Sequence, residues 1–259
     1  MNRLTANSFY FFRVFGCSLV LLALAVSASS VAAGTGDKKK RLRASLARTE
    51  IKEAEQKLSE MGYWTGPVDG VIDSESRQAL IAFQKVEGRE ATGKLTRGEL
   101  DAIRNATQPK AKDPGYRHVE VDLDRQVLIM VGDDGTVAGI LPVSTGSGQH
   151  YSEKGMSGTA YTPRGRFKVY NKASGWKKSP LGMLYFPSYF SDGIAIHGNP
   201  EVPTEPKSHG CIRIPMFASV KVSKMLPVGS IVLVYDSRSF VSAKDWAEAD
   251  RSTQVGSVQ

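Results

Sequence analysis

Between residues 119 and 235 the chain is cut into short apolar runs separated by glycine- and serine-rich breaks. Val119, Val121 and Leu123 alternate with Glu120, Asp122 and Asp124, the period of two that a strand with one apolar face requires. Residues 126–131 form a second apolar run, and Asp133-Asp134-Gly135-Thr136 after it carries the residue types of a tight hairpin turn. Residues 137–143, 167–170, 193–197 and 230–235 read as further strands, with a helix over 216–225. Many short strands, glycine-rich turns and one helix predict a mostly β domain, a sandwich or a closed sheet.

The pattern upstream is helical. Ile51, Ala54, Leu58 and Met61 recur at helical spacing over 49–61, and Gly62 ends the run. Gly66-Pro67-Val68-Asp69-Gly70 is dense in turn residues. Asp73 is placed to cap a second helix from Ser74, with Ala79, Leu80, Ala82, Phe83 and Val86 inward and Gly88 closing it. Thr96-Arg97-Gly98-Glu99 fits a capping box for a third helix carrying Leu100 and Ile103. These predict a small three-helix domain over 49–105, with linkers at 34–48 and 106–115. The β domain then spans 116–236, and a polar tail runs over 237–259.

The first 33 residues have the layout of a secretory signal peptide: Arg3 and Arg13 without acids, an apolar core from Val14 to Val26, then small residues including Ser30-Val31-Ala32. The core is short for a membrane anchor of about 20 residues. Cleavage predicts an exported protein in the periplasm or cell wall, with no stable membrane span. Loss of the two arginines takes the formal charge from +8 to +6, which suits an anionic envelope polymer. The basic residues are scattered apart from Lys38-Lys39-Lys40-Arg41, and nothing has the form of a nucleic-acid module.

Of two cysteines, Cys17 falls in the signal segment, so the mature chain keeps only Cys211 and has no intrachain disulfide. Cys211 closes the run Ser208-His209-Gly210-Cys211, and His197-Gly198 lies just upstream. A thiol with imidazoles and a glycine beside it is the equipment of acyl transfer. The thiolate is the nucleophile, an imidazole takes its proton, and backbone N–H groups hold the oxyanion. His197 ends an alternating strand and is the first candidate base. His209 shares a face with Cys211 in an extended backbone, and is a second base, a substrate contact or a packing residue. The Gly210 and Cys211 N–H groups are the oxyanion candidates. Ser208 either supports His209 or shapes the turn. Arg213 either grips a substrate carboxylate or fixes the loop by a salt bridge. His118 and His150 stand apart from any cysteine or acid cluster, so no metal site is expected.

Two resemblances follow from these motifs. Leu58, Gly62-Tyr63-Trp64, Gly66-Pro67-Val68-Asp69-Gly70, Ala79-Leu80, Ala82-Phe83-Gln84 and Gly93 resemble the bacterial peptidoglycan-binding domain 1 family. That family implies a module holding an enzyme near wall glycan or peptide; Tyr63 and Trp64 there either stack on a sugar or pack. Val121-Asp122-Leu123, Gln126-Val127-Leu128, Val143-Ser144-Thr145-Gly146, residues 162–167, Ile196-His197-Gly198 and Ser208-His209-Gly210-Cys211 resemble the YkuD-type L,D-transpeptidase catalytic domain, in that family's order.

The second resemblance implies Cys211 as nucleophile and His197 as base and acid, the imidazole oriented by the Gly198 carbonyl. It implies peptidoglycan stem peptides as substrate, a thioester formed with release of D-alanine, no cofactor, and acylation of Cys211 by carbapenem-type β-lactams. The family's cleft cover corresponds to residues 146–192, where Trp176 or Tyr185 could shape the cleft. Alternative readings are a carboxypeptidase or an envelope-protein attachment enzyme using the same site, or a silent wall-binding protein.

Overall fold

The computed structural model describes residues 46–239. The expected signal peptide, Cys17, most of the first linker and the tail from residue 240 lie outside the described residues.

Three helices come first among the described residues: α1 (Arg48–Glu60), α2 (Ser74–Val86) and α3 (Arg97–Asn105). Asp73 Oδ1 accepts from the N–H groups of Glu75 and Ser76, capping α2 as expected. Thr96 Oγ1 accepts from Glu99 N and caps α3. The Glu99 carboxylate, expected to complete a capping box, is bound by Arg89 Nε at 3.0 and 3.1 Å. The turn between α1 and α2 is organised by Glu55, which is fully buried. Its carboxylate accepts from Asp69 N, Gly70 N and Ser76 Oγ. Gly70 has φ +83°, and a Cβ there would sit 2.5 Å from the Arg48 carbonyl, so the turn requires glycine.

Twelve strands follow. The first sheet has the order β3 (Val137–Pro142), β2 (Val127–Val131), β1 (His118–Asp122), β12 (Ile231–Tyr235) and β6 (Gly165–Lys168). Its pairs are antiparallel except for β1 with β12, which are parallel. The second sheet has the order β11 (Ile212–Pro215), β10 (Ile194–Asn199), β9 (Gly182–Ser191) and β7 (Asn171–Lys172), with β8 (Trp176–Ser179) also paired to β9. A separate hairpin joins β4 (His150–Glu153) to β5 (Met156–Thr159). The fourth helix, α4, runs Met216–Met225, as the sequence predicts. One core binds the two sheets: Val119, Val121, Leu128 and Met130 from the first meet Phe190, Ile196, Ile212 and Ile214 from the second, with Ala218 and Val222 of α4. The fold is mostly β, a sandwich preceded by a small helical region.

Three features depart from the expected pattern. First, β2 is apolar on both faces. Leu128 and Met130 enter the sandwich core, whereas Val127, Ile129 and Val131 join Val137 and Ile140 under the helices, against Leu58, Leu80, Phe83 and Ile103. The helical region therefore shares a core with the first sheet. Second, β1 is buried along its whole length despite its alternation. Glu120, on the face away from the sandwich core, accepts from Lys112 N and Asp113 N and meets His118 Nε2 at 3.1 Å. The 106–115 segment thus straps that face, and His118 has an acidic partner after all. Third, β4, β5, β7, β8 and β9 carried no alternation to betray them, and β11, where Ile212 and Ile214 flank Arg213, is only four residues long; β9 contains Pro187 and a positive φ at Phe186.

Tyr63 is a packing residue, and Trp64 is half-buried. Tyr63 is buried edge-on to Phe83. Trp64 lies against the sandwich core with Lys221 Nζ 4.1 Å from its ring.

Candidate active site

β10 and β11 are adjacent parallel strands, in register through Ile196–Ile212 and His197–Arg213. Cys211 immediately precedes β11, so the pairing brings it beside β10 and close to Ala195, whose backbone interacts with its sulfur. Both strands' apolar residues anchor in the core, so His197 stands on a rigid element and Cys211 directly before one. They open into one cavity of about 400 Å³, which Ser208, His209 and Arg213 also line. Tyr151 and Tyr161 form part of its wall, and residues 179–184, around the β8–β9 turn, form another part.

His197 is buried, and its Nδ1 lies 2.9 Å from the Gly198 carbonyl. A carbonyl only accepts, so Nδ1 carries the hydrogen and Nε2 is left with its lone pair. Burial pushes the imidazole pKa down to about 4; the Gly198 hydrogen bond opposes this and the Arg213 charge adds to it. Cys211 is half-buried. Burial pushes its thiol up, against the Ala195 backbone and the Arg213 charge, which lower it. Burial thus favours the uncharged form of both groups. Gly198 itself is tightly enclosed: a Cβ would fall 2.0 Å from Ser219 Oγ.

The loop before Cys211 is fixed by backbone shape. Gly210 has φ +144°, and a Cβ there would meet the Tyr161 carbonyl at 2.8 Å. Its N–H donates to Ser208 Oγ at 3.0 Å, and its carbonyl accepts from Thr162 Oγ1 at 2.7 Å. Ser208 Oγ donates to the Cys211 carbonyl at 2.5 Å, so this side chain shapes the turn and does not reach His209. An oxyanion at Gly210 N–H would have to displace Ser208 Oγ, whereas the Cys211 N–H carries no such bond among the described residues. His209 turns to the β4–β5 hairpin: Nε2 is 2.5 Å from Glu153 Oε1, and its ring meets Tyr151 edge-on at 4.8 Å. Among the described residues the Arg213 guanidinium forms no ion pair, leaving its charge to the cavity.

Several residues that carried the family resemblance, given no role in the sequence, support the site. Ser144 and Arg213 exchange backbone hydrogen bonds, Ser208 N donates to Thr145 O, and Ser144 Oγ donates to Glu205 O and accepts from Lys207 N. Thr162 and Gln126 complete the frame; the Gln126 amide holds Thr145 through N–H and Oγ1. Trp176 and Tyr185 pair across β8–β9 with ring centroids 4.9 Å apart and stand outside the cavity lining. Among the described residues no cluster of His, Cys, Asp and Glu is arranged to hold a metal.

The YkuD family model, described as an L,D-transpeptidase catalytic domain, matches residues 116–234. A peptidoglycan-binding domain model matches residues 47–103. The L,D-transpeptidase of Xylanimonas cellulosilytica is 36% identical over 72% of this chain and 93% of that one, with a TM-score of 0.68. The chain belongs to the YkuD L,D-transpeptidase family. An L,D-transpeptidase of Stackebrandtia nassauensis is 26% identical over 71% of this chain and 90% of that one, with a TM-score of 0.42. No curated protein matches. Membership in the YkuD family, with a peptidoglycan-binding region in front, supports a peptidoglycan-related transpeptidase function and a wall or periplasmic location. No helix among the described residues of this YkuD protein is long and apolar enough to cross a membrane.

Proposed function

We propose that the protein is a cysteine L,D-transpeptidase cross-linking peptidoglycan stem peptides. The observation that carries this is that Cys211, just before β11, and a lone-pair-bearing His197 on the neighbouring β10 line one cavity. His197 Nε2 takes the thiol proton as Sγ bonds to the carbonyl carbon of the donor stem's third residue. The carbonyl oxygen becomes an oxyanion, held by the Cys211 N–H. The bond to the terminal D-alanine then breaks, and its amine leaves with the proton from His197. An amine of a second stem attacks the thioester, gives its proton to His197, and expels the Cys211 sulfur, which is reprotonated. Arg213 offers a cationic grip on a stem carboxylate. His209 positions the β4–β5 hairpin at the cavity rim, and the signal segment directs export.

Purified wall incubated with the protein, digested and analysed by mass spectrometry, tests this. Wild type is expected to yield dimers linked between third residues together with free D-alanine, and Cys211→Ala neither. Trimmed tripeptides without dimers would identify water as acceptor. Cross-linking retained by Cys211→Ala would overturn the mechanism. Intact mass after carbapenem treatment is expected to show one adduct on wild type and none on Cys211→Ala.

A further inference from the structure

The helical region sends one side chain into the β domain. Lys85, near the end of α2, is 8% exposed. Its Nζ donates to the Gln126 carbonyl at 3.1 Å and the Val143 carbonyl at 3.0 Å. Those carbonyls flank the mouth of the β2–β3 hairpin, where Val143 N also donates to Gln126 O. Burying an amine this deeply costs several kcal/mol in general unless its donors are matched, and an aliphatic side chain would fill the space without that cost. The amine must therefore supply something that packing does not.

Its contacts lead to the nucleophile in two steps. Residues 143–147 run from the carbonyl that Lys85 holds along the back of the cysteine loop. Ser144 bridges to Arg213 by two backbone bonds of 3.0 and 3.2 Å, and Thr145 O receives Ser208 N at 2.9 Å. Ser147 N donates to Ser208 O at 3.0 Å. The Gln126 backbone that Lys85 fixes also carries the amide that clamps Thr145, and Gln126 holds a left-handed φ of +55°. Glu205, on the cysteine loop, accepts Ser144 Oγ through its carbonyl, and its carboxylate charge acts on Lys85. Lys85 is thus tied to both the frame and the loop it supports.

We propose that Lys85 is a positioning residue for the transpeptidase reaction, through which the helical region holds the 143–147 frame and sets the place of Cys211. The region then has a role inside the active site's architecture, separate from contact with the wall. This rests on the reading of Cys211 as the nucleophile, and the tests below separate the two. Burial pushes the Lys85 pKa down to about 8, yet the neutral amine keeps two hydrogens, enough for both carbonyls.

Lys85→Met keeps the aliphatic stem and removes the donors. Three quantities are measured on the full chain: the rate of Cys211 acylation by a carbapenem, pull-down on insoluble peptidoglycan, and peptide-resolved hydrogen exchange. Acylation is expected to slow by about tenfold or more, chiefly in the maximal rate and less in the concentration dependence, while pull-down is unchanged. Exchange is expected to quicken over 143–147 and 204–213 and to stay at the wild-type level over 194–199. Lys85→Arg, which retains donors, is expected to recover most of the rate. Should Lys85→Met fail to fold, Lys85→Leu, which also lacks donors, is read in the same way. Wild-type acylation and exchange in the folded variant would overturn the proposal, as would exchange that quickens over 194–199 as much as over 143–147 and 204–213. A wild-type protein that is never acylated, but whose variant shows the local exchange change, would sink the transpeptidase reading and leave the Lys85 frame standing.

Discussion

At the scale of single residues, burial favours the uncharged forms of His197 and Cys211. With its pKa pushed down to about 4, His197 remains a base at pH values where an ordinary imidazole is protonated. The acid limb of the acylation rate is expected near pH 4 to 5; a limb at about 6.5 would show that the buried tautomer is not the working base. The same shift affects stability. The unfolded chain takes up the His197 proton first as pH falls, so the contribution is complete above about 6.5 and is lost on the way down to about 4. Roughly 3 kcal/mol is at stake, readable as a fall in urea midpoint between those pH values that His197→Gln should largely abolish. Gly210 is the other critical residue. Gly210→Ala must accept a left-handed φ and a contact with the Tyr161 carbonyl, a cost of about 1–3 kcal/mol. Acylation is expected to drop at least about tenfold, with a lowered melting temperature. That Cys211 and His197 would share a site was legible from Ser208-His209-Gly210-Cys211 and His197-Gly198. That Ser208 spends its hydroxyl on the Cys211 carbonyl was not, because the bond depends on the Gly210 backbone angle and not on residue type.

At the scale of elements, the β4–β5 hairpin is attached to the Cys211 loop by His209 and Glu153, with Tyr151 packed on the ring. The pair is partly exposed, so Glu153→Gln should change stability by no more than about 1 kcal/mol. Its effect is expected in KM for the donor stem, raised severalfold with kcat little altered, because the hairpin lines the cavity without touching the sulfur. An unchanged KM would mean that the hairpin does not contact the donor. This hairpin, with β7, β8 and β9, was invisible in the sequence. His150-Tyr151-Ser152-Glu153 is exposed or half-exposed on both faces, so no apolar period marks it. Strands walled on both sides, such as β2, β10 and β12, announced themselves as apolar runs, and α2 was marked by Asp73 and Gly88 at its ends.

At the scale of the whole molecule, the helices and the first sheet form one structure. Val127, Ile129, Val131 and Ile140 are sealed beneath α1 to α3. Stripping the helices away would expose four such side chains, a loss of roughly 6 kcal/mol or more against a typical total of about 5–15. A fragment beginning at residue 106 is expected to be insoluble or to melt at least about 10 °C lower; a soluble fragment with the full-length melting temperature would contradict the shared core. The division into a helical and a β part was legible from the change of period near residue 106. Their fusion was not, because the pattern of β2 fits equally a strand covered by helices and one in the centre of a larger sandwich.

The parallel pairing of β1 with β12 joins His118 to Ile231 and Asp122 to Tyr235, at the middle of the first sheet. A chain emerging from its amino end has β1, β2 and β3 in hand long before β12, but the seam between them stays open until the final strand arrives. Closing it means bringing together segments more than a hundred positions apart, an entropic toll that delays completion. The core that β12 shares with β10 and β11 through Val232 and Val234 is therefore sealed only when those residues dock.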